Sequence, residues 1–407
     1  MYISRELERK FLSMNQVFKA VLVTGARQVG KSTMLKHLAR ESDRAYVTLD
    51  SVRDRELAQK DPVLFLQTYR PPVLIDEVQK APELFEAIKV ICDATNEKGL
   101  FWLTGSQSKK LLKQAGDSLA GRVCILKMYS LSVREQLGLQ PKEPLDFSYT
   151  ALMQRQRYFP ANNIHDTFER IWRGGMPDVQ MLDEEQLQEY FSSYIETYLM
   201  RDAVEDNGIT NTVGFRKFLR ACAAFNGQLL NYTDLAASAE INLQTAKEWV
   251  RILQNMGIIY LLEPYANNEL KRMIKTPKLY FCDTGLCAYL SMWTTKDTLM
   301  NGAVSGHYYE NHILMELVRN YAYGKEKANL TFYRDTHQKE VDIFLEESGM
   351  IHPFEIKKAA HPDRKEVKKF ELIEKSNLKR GPGGIICMCD SPFPIDELNT
   401  YIPGNII

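Results

Sequence analysis

The sequence lacks a segment long and apolar enough to cross a membrane. None of its stretches approaches 18 uninterrupted apolar residues, and its N-terminus, which begins MYISRE, has no apolar h-region of the kind that a secretory signal contains. We therefore expect a cytoplasmic protein without a membrane partner. An excess of one charge is also missing, because lysine plus arginine and aspartate plus glutamate both total 52. Any nucleic-acid surface must therefore be local.

Cysteine is scarce and irregularly spaced. The seven cysteines include no CxxC pair and no zinc-ligand spacing, and their odd number argues against a disulfide framework. We expect a reducing compartment. The 407 residues, 44% of them apolar, are enough for two or three domains with ordinary cores.

Residues 25 to 32, GARQVGKS, fit the pattern GxxxxGK[ST]. An apolar run at 20 to 23 precedes them, and a helix-like run at 33 to 40 follows. This strand–loop–helix setting is the one a phosphate-binding P-loop requires. The alternative is a glycine-rich β-to-α turn that carries a lysine by chance.

Each position of this loop has an expected role. Its glycines let the backbone curl, so that successive N–H groups and a helix N-terminus face the phosphates. Lys31 reaches the β and γ phosphates, and the Ser32 hydroxyl ligates Mg²⁺. The predicted ATP contacts are Gly25, Arg27, Gly30, Lys31, Ser32 and Thr33. No NKxD-type guanine-reading motif stands out, so we expect ATP and not GTP.

A second motif, PVLIDE at residues 72 to 77, is an apolar strand that ends in two adjacent carboxylates. It looks like a Walker B motif. Asp76 would hold Mg²⁺, directly or through water, and Glu77 would orient or deprotonate the attacking water. Glu77 therefore argues for ATP hydrolysis as well as ATP binding.

Apolar strands alternate with helical patterns between residues 18 and 129, which predicts a parallel sheet covered on both faces. The expected strands are 20–23, 45–49, 73–75, 100–103 and 123–128. Thr104 and Ser106 follow the fourth of them. They are either sensors that contact the γ phosphate or parts of a polar strand-to-loop turn.

Arg122 comes immediately before the last predicted strand, in the segment SLAGR. In AAA-type ATPases, which this arrangement resembles, an arginine finger at this place acts on the nucleotide of a neighbouring subunit. A catalytic Arg122 would make the active form a homo-oligomer. The alternative is a solvated arginine at a helix end.

The middle of the chain is predicted to be helical. Residues 136 to 162 indicate a linker or an excursion. WRGGMP at 172 to 177 interrupts the following helices, either as part of a lid that brings Arg173 to the nucleotide or as a helix-to-helix corner. Residues 232 to 262 show the pattern of a winged helix. A strand at residues 278 to 282 could close the hairpin of this winged helix.

The second helix of that region would carry a modest basic strip. Lys247 and Arg251 lie on its polar side, and Lys271, Arg272 and Lys275 would lie in the wing. Such a strip predicts DNA contact. Glu240 and Glu248 dilute the charge, and winged helices also mediate protein contacts, so both interpretations stay open.

The last hundred residues hold another group of candidate side chains. Glu355 and Lys357 are two apart on a predicted strand and must share a face, and Asp342 lies on a neighbouring strand. Phosphodiester cleavage suits this set: Asp342 and Glu355 would ligate Mg²⁺, Lys357 would position or deprotonate water, and Glu310 would steady the lysine or a second metal. The alternative is a solvated hairpin.

These motifs together resemble a large family of prokaryotic ATP-binding proteins. That family joins an AAA-type P-loop core to a winged-helix region and a C-terminal restriction-endonuclease-like PD-(D/E)XK domain. The segments that carry the resemblance, in chain order, are GARQVGKST, LIDEVQK, LTGSQS, SLAGR, GGMPDV, FCDTGL, KEVDIF and FEIKK.

The resemblance implies an α/β fold with four regions: an ATPase core at 1–135, a linker and helical lid at 136–225, a winged-helix-like region at 226–298 and a nuclease-like domain at 299–407. It also implies binding of ATP and Mg²⁺ at Gly30, Lys31, Ser32 and Thr33, and hydrolysis that depends on Asp76 and Glu77. Three functions are open: a DNA-associated ATPase, an ATP-gated nuclease, and a slow nucleotide switch that binds only proteins.

Overall fold

The computed structural model describes residues 2–106, 109–139, 144–265, 276–324, 328–335, 337–374 and 378–407. The chain divides into two compact units. The first comprises Met1–Leu131 with Asn255–Ile258, and the second comprises Ser132–Gln254 with Ile259–Ile407. None of the helices in the described ranges combines the length and apolar character of a membrane span.

A five-stranded parallel sheet forms the centre of the first unit. Its strands are β1 (Ala20–Gly25), β2 (Ala45–Thr48), β3 (Val73–Asp76), β4 (Phe101–Ser106) and β5 (Val123–Lys127), in the spatial order β2-β3-β4-β1-β5. All pairings are parallel. The five predicted strands and the parallel sheet are therefore confirmed.

Helices cover this sheet, and that explains the character of its strands. The helices are α1 (Leu7–Asn15), α2 (Lys31–Ala39), α3 (Val52–Lys60), α4 (Pro62–Thr68), α5 (Leu84–Ala94) and α6 (Lys109–Ser118). Strands β1, β3 and β4 are buried along their whole length. Burial on both faces is why these strands are continuous apolar runs, without the alternation of a half-exposed strand.

The second unit is richer in helix than the sequence indicated. Its helices are α7 (Val133–Gln136), α8 (Tyr149–Gln156), α9 (Ile164–Arg173), α10 (Glu184–Tyr194), α11 (Met200–Glu205), α12 (Thr212–Ala224), α13 (Tyr232–Ser238), α14 (Leu243–Asn255), α15 (Thr284–Leu290), α16 (Lys296–Asn301), α17 (Ser305–Tyr323) and α18 (Glu371–Glu374). The predicted linker at 136 to 162 thus contains α8. Residues 140 to 143 of that segment lie outside the described residues.

The helix break at residues 172 to 177 is a corner between α9 and the turn that follows. The Arg173 guanidinium donates to Glu169 and to the carbonyl oxygens of Val179 and Leu182. The Gly175 N–H donates to Asp283 at 2.9 Å. These bonds describe a helix-to-helix corner, and a lid that brings Arg173 to the nucleotide stays a prediction.

Two sheets complete the second unit. A small antiparallel sheet follows α12 and consists of β6 (Gln228–Leu229), β7 (Ile259–Leu262) and β8 (Lys278–Phe281), in the order β6-β8-β7. The expected hairpin is therefore present as β7 and β8. Residues 266 to 275 between these strands, which include Lys271, Arg272 and Lys275, lie outside the described residues.

The larger sheet has six strands and mixed direction. Its strands are β9 (Asn329–Arg334), β10 (Glu340–Glu347), β11 (Met350–Lys357), β12 (Gly383–Cys387), β13 (Phe393–Pro394) and β14 (Asn399–Pro403), in the order β13-β14-β12-β11-β10-β9. The hairpin β10–β11 is antiparallel, and β11 runs parallel to β12. A 3₁₀ helix at Arg364–Phe370 contacts β10, β11 and β12.

Candidate functional site

The predicted P-loop joins β1 to α2, and its two end glycines are required by geometry. Gly25 has φ +151°, and a Cβ there would lie 2.2 Å from the Met128 carbonyl oxygen. Gly30 caps α2 in the left-handed conformation, with φ +93°. A side chain at either position would be strained. Gly25 and Gly30 therefore shape the loop, as the sequence predicts.

Lys31 is the first residue of α2 and is buried, with 6% of its surface exposed. Its ammonium donates to the carbonyl oxygens of Gly25 at 3.1 Å and Ala26 at 2.7 Å. The positive charge thus lies over the loop where phosphates are expected. Arg27 is half-buried and Thr33 is exposed, and their contacts with ATP stay predictions.

Arg5 secures this loop from outside the motif. Its guanidinium is 3% exposed and donates to the carbonyl oxygens of Val29 at 2.6 Å and Tyr129 at 2.8 Å. It therefore ties the P-loop to the residue that follows β5 by two positions. Sequence reasoning missed Arg5, because a single arginine ahead of a helix carries no pattern.

Asp76, at the end of β3, gathers three hydroxyl groups. Ser32 Oγ donates to Asp76 Oδ1 at 2.6 Å, Thr104 Oγ1 donates to the same oxygen, and the Tyr46 hydroxyl donates to Oδ2 at 3.2 Å. Burial raises the pKa of the Tyr46 phenol, which keeps it a donor. The two predicted Mg²⁺ ligands, Ser32 and Asp76, are thus neighbours. Oxygen donors from a loop hydroxyl and a carboxylate fit Mg²⁺.

Thr104 organises the acidic pair. Its hydroxyl is fully buried, donates its one proton to Asp76, and accepts the N–H of Glu77 at 3.1 Å. That proton is therefore already engaged, so a phosphate would have to compete with Asp76 for it. Ser106, the other predicted sensor, is not engaged in this way among the described residues, so its contact with the γ phosphate stays a prediction.

Glu77 follows Asp76 in the left-handed conformation, with φ +59°, which turns its side chain away from the strand direction. Its carboxylate accepts a hydrogen bond from Gln79 Nε2, and the same nitrogen donates to Ser106 Oγ at 3.2 Å. Gln79 is a second residue that sequence reasoning missed. Its position two residues after Glu77 was the available signal.

Arg122 precedes β5 and so lies at the amino ends of the parallel strands, whereas the P-loop follows β1 at their carboxyl ends. Its guanidinium forms two bonds with the Asp93 carboxylate, at 2.5 and 2.9 Å, and the pairing raises the pKa of Arg122. It cannot reach the P-loop of its own chain from that end of the sheet. Its predicted action on a neighbouring subunit stays a prediction.

The second unit brings together the predicted C-terminal set. Lys357 Nζ lies 2.9 Å from Glu355 Oε2 and 3.8 Å from Asp342 Oδ2. Lys369, which sequence reasoning missed, lies 3.0 Å from the same Glu355 oxygen and 2.8 Å from Glu366. Two ammonium groups therefore face the three carboxylates of Asp342, Glu355 and Glu366.

Burial and the mixture of charges both act on the pKa values of this cluster. Burial raises the pKa of Glu355 to about 7. Although burial lowers the pKa of Lys357, the carboxylates of Asp342 and Glu355 raise it above its usual range, so this lysine is a poor base. Only Glu355 Oε1 is buried without a partner in the described part of the cluster.

Two lysines lie beside the predicted metal ligands Asp342 and Glu355, whose binding of Mg²⁺ stays a prediction. Across the described ranges no three His, Cys, Asp or Glu side chains are grouped so that they could hold a metal ion. Mg²⁺ requires an octahedron of oxygen ligands, and Lys357 and Lys369 stand where such a cation would be attracted. Asp342 and Glu355 thus meet as predicted, within a set of ion pairs.

Glu310 contacts a different lysine from the one expected. It accepts hydrogen bonds from Lys278 Nζ at 2.9 Å and from the Tyr280 hydroxyl, and Lys278 also pairs with Glu340 at 2.7 Å. Although burial lowers the pKa of Lys278, the Glu310 carboxylate holds it well above its usual range. Glu310 therefore stabilises the junction of β8, α17 and β10.

Replacing Lys278 by methionine should destabilise the second unit. The Lys278 side chain is 4% exposed and that of Glu310 is 12% exposed, so the variant leaves a largely buried carboxylate without its cation. We expect the free energy of unfolding to fall by about 3 to 5 kcal/mol. Urea unfolding followed by tryptophan fluorescence measures this, because Trp172, Trp249 and Trp293 lie in the second unit.

The double variant Lys278→Met/Glu310→Gln is the control for that experiment. It removes both charges and should recover part of the lost stability, because no buried charge is then left unpaired. Equal stability of Lys278→Met and the wild type would show that the ion pair contributes nothing. A double variant less stable than Lys278→Met would contradict the explanation by an unpaired charge.

Helix α14 presents a polar face of mixed charge. Gln244, Lys247, Glu248 and Arg251 are all exposed on it. Lys247 lies 5.9 Å from the centre of the Tyr232 ring. Nearby, Lys217 pairs with Glu240 at 2.6 Å, which neutralises one more positive charge. The described residues thus retain Lys247 and Arg251 as the basic part of this face.

Three protein-family models match separate parts of the chain. Residues 17–137 match the model described as an AAA domain. Residues 164–297 and 305–407 match two models, each described as a domain of unknown function, DUF8612 and DUF4143. The match to the AAA domain falls on the part of the chain that holds the parallel sheet and the predicted P-loop, and it supports the predicted AAA-type fold there. The winged-helix and nuclease-like assignments stay predictions.

Similar proteins cover most of the chain at low identity. An uncharacterized protein of Mycobacterium tuberculosis (strain ATCC 25618 / H37Rv) is 26% identical over 390 residues, which are 95% of this chain and 80% of that protein. An uncharacterized protein of Methanocaldococcus jannaschii is 22% identical over 360 residues, 84% of this chain and 75% of that protein.

Two solved structures are also similar. The Walker-type ATPase PABY2304 of Pyrococcus abyssi is 15% identical, with a TM-score of 0.42 over 71% of this chain and 96% of that chain. The RuvB Holliday junction branch migration motor of Thermotoga maritima is 17% identical, with a TM-score of 0.32 over 63% of this chain and 89% of that chain.

Proposed function

We propose that this chain is a Mg²⁺-dependent ATPase whose nucleotide state controls its second unit on DNA. One observation carries the ATPase part: Ser32 Oγ and Asp76 Oδ1 lie 2.6 Å apart, beside a glycine-shaped loop and with Glu77 next in sequence. A loop hydroxyl and a strand-end carboxylate in contact are the pair that holds Mg²⁺ in P-loop enzymes.

The residues of the loop divide the work of hydrolysis. The loop N–H groups and Lys31 would bind the β and γ phosphates, and Ser32 and Asp76 would hold the metal. Mg²⁺, when bound, neutralises charge on the β and γ phosphate oxygens. Glu77 would accept a proton from the water that attacks the γ-phosphorus, while the bond to the ADP oxygen breaks.

Two features of the second unit support association with DNA. The order α12, β6, α13, α14, β7, β8 is that of a winged helix, with α14 in the place of the recognition helix. Lys247 and Arg251 are exposed on α14 and could contact phosphates. The ion-paired cluster around Glu355 favours recognition over cleavage, so we do not propose a nuclease.

ATP turnover with and without DNA tests this proposal. We expect double-stranded or single-stranded DNA to raise the turnover rate severalfold, and raised salt to abolish the increase, because phosphate contacts release counterions. The measurement is phosphate release by the full chain at about 50 and about 200 mM salt. ATP binding without any DNA response would favour the nucleotide switch that binds proteins alone.

Charge reversal on α14 is the matched control for that experiment. Lys247→Glu/Arg251→Glu should lose the stimulation and keep the basal rate, whereas the exposed Lys98→Glu in the first unit should keep both. Stimulation that survives the α14 double variant would place the DNA contact elsewhere. Mg²⁺-dependent DNA cleavage that is lost in Lys357→Ala would support the nuclease instead.

A further inference from the structure

Gln79 connects two residues that the site needs. It lies in the 3₁₀ turn Val78–Lys80, directly after Asp76 and Glu77. Its Nε2 donates to Glu77 Oε2 and to Ser106 Oγ at 3.2 Å. One amide nitrogen thus touches both the predicted base and the predicted phosphate sensor.

The orientation of the Gln79 amide is fixed by Glu77. Turning the amide over would place its oxygen against the carboxylate, which repels it. In the orientation observed, Gln79 Oε1 is buried and has no hydrogen-bond partner within the described ranges. A buried acceptor left unpaired is unfavourable, so the protein keeps this arrangement at the expense of a hydrogen bond.

The glycine at position 105 of β4 leaves the space that the Gln79 amide occupies. A Cβ on Gly105 would lie 2.7 Å from Gln79 Oε1 and 2.5 Å from a methyl carbon of Leu111. Gly105 is the penultimate residue of β4 and has no left-handed backbone that would itself require glycine. Its lack of a side chain therefore serves the packing of Gln79 and Leu111 against the strand.

We propose that Gln79 is the residue that positions the catalytic carboxylate of Glu77, and this inference rests on the proposed ATPase function. The amide holds Glu77 at a fixed distance from Ser106, at the end of β4. A γ phosphate that contacts Ser106 would therefore lie at a defined distance from the Glu77 carboxylate, the predicted base. Among the described residues, Gln79 is the side-chain donor that holds the partly exposed Glu77 carboxylate.

The variant Gln79→Met tests this, because methionine keeps the length of the side chain and removes the amide. We expect kcat to fall about 10- to 100-fold, as misplacement of a catalytic group by about 1 Å does. The dissociation constant of a fluorescent ATP analogue should stay within about twofold, because Gln79 has no part in the P-loop. Exposed Gln67→Met is the matched control and should change neither value.

A double-mutant cycle separates positioning from a structural role. If Gln79 acts through Glu77, adding Gln79→Met to Glu77→Gln should not lower kcat further. Ser106→Ala alone should show part of the fall in kcat that Gln79→Met causes. Unchanged or increased kcat in Gln79→Met, or an equal further loss in the Glu77→Gln background, would overturn the inference. A wild-type chain without any turnover would overturn the proposed function, and the inference with it.

Discussion

Replacement of Glu77 by glutamine is expected to leave ATP bound and to slow hydrolysis by a factor of about 100 to 10,000, the range typical of a lost general base. The glutamine amide has nearly the same shape as the carboxylate that it replaces, so the P-loop, Ser32 and Asp76 keep their contacts. The amide cannot accept a proton from water. The measurement is phosphate release at saturating ATP, together with binding of a fluorescent ATP analogue.

The exposed residue Glu83, which precedes α5, provides the matched control. Glu83→Gln makes the same chemical change outside the site and should hydrolyse ATP at the wild-type rate. Weak nucleotide binding in Glu77→Gln would show that the carboxylate shapes the loop. Undiminished turnover would remove Glu77 from the mechanism and leave Asp76 as the carboxylate to test.

The sequence predicts the first unit well because its signals are local. A parallel strand buried on both faces must be an apolar run, and the five runs found are the five strands of the sheet. The P-loop glycines are also local requirements, since Gly25 and Gly30 take backbone angles that other residues avoid. Both motifs end strands of one parallel sheet, so their meeting at Asp76 could be expected.

The partners of these motifs could not be predicted, because they depend on tertiary contacts. Arg5 is 24 residues from Val29 in sequence, and Tyr46 is 30 residues from Asp76, with no pattern to join them. In the second unit, Lys369 lies 14 residues after Glu355, on a 3₁₀ turn that no periodicity announces. A spacing of two residues predicts that two side chains share a strand face. The lysine that approaches such a carboxylate from another element cannot be read from that spacing.

The same limit explains the outcome at the C-terminal cluster. The alternation at β11 correctly places Glu355 and Lys357 together, and Asp342 joins them from β10. Whether such a cluster of carboxylates binds a metal or forms internal ion pairs depends on the number of ammonium groups that reach the carboxylates. Two lysines reach Glu355 and form ion pairs with it, and the Mg²⁺ role of Asp342 and Glu355 stays a prediction.

Arg122→Ala is expected to reduce ATP turnover by about 1,000-fold or more, the range typical of arginine fingers, if the active form is a homo-oligomer. Mixing tests this directly. Arg122→Ala has an intact P-loop and Glu77 but no finger, while Glu77→Gln keeps the finger. Each variant alone should be nearly inactive, and a mixture should recover measurable turnover at interfaces that combine the two intact parts.

The ion pair with Asp93 supplies the control for this mixing experiment. Asp93→Asn weakens the hold on Arg122 without removing this arginine, so the variant should remain active alone and should supply Arg122 to the intact P-loop of Arg122→Ala when the two are mixed. Absence of recovery in every mixture, with a monomeric mass in the presence of ATP, would exclude action between subunits. Arg122 would then serve only to join α5 to the start of β5 through Asp93.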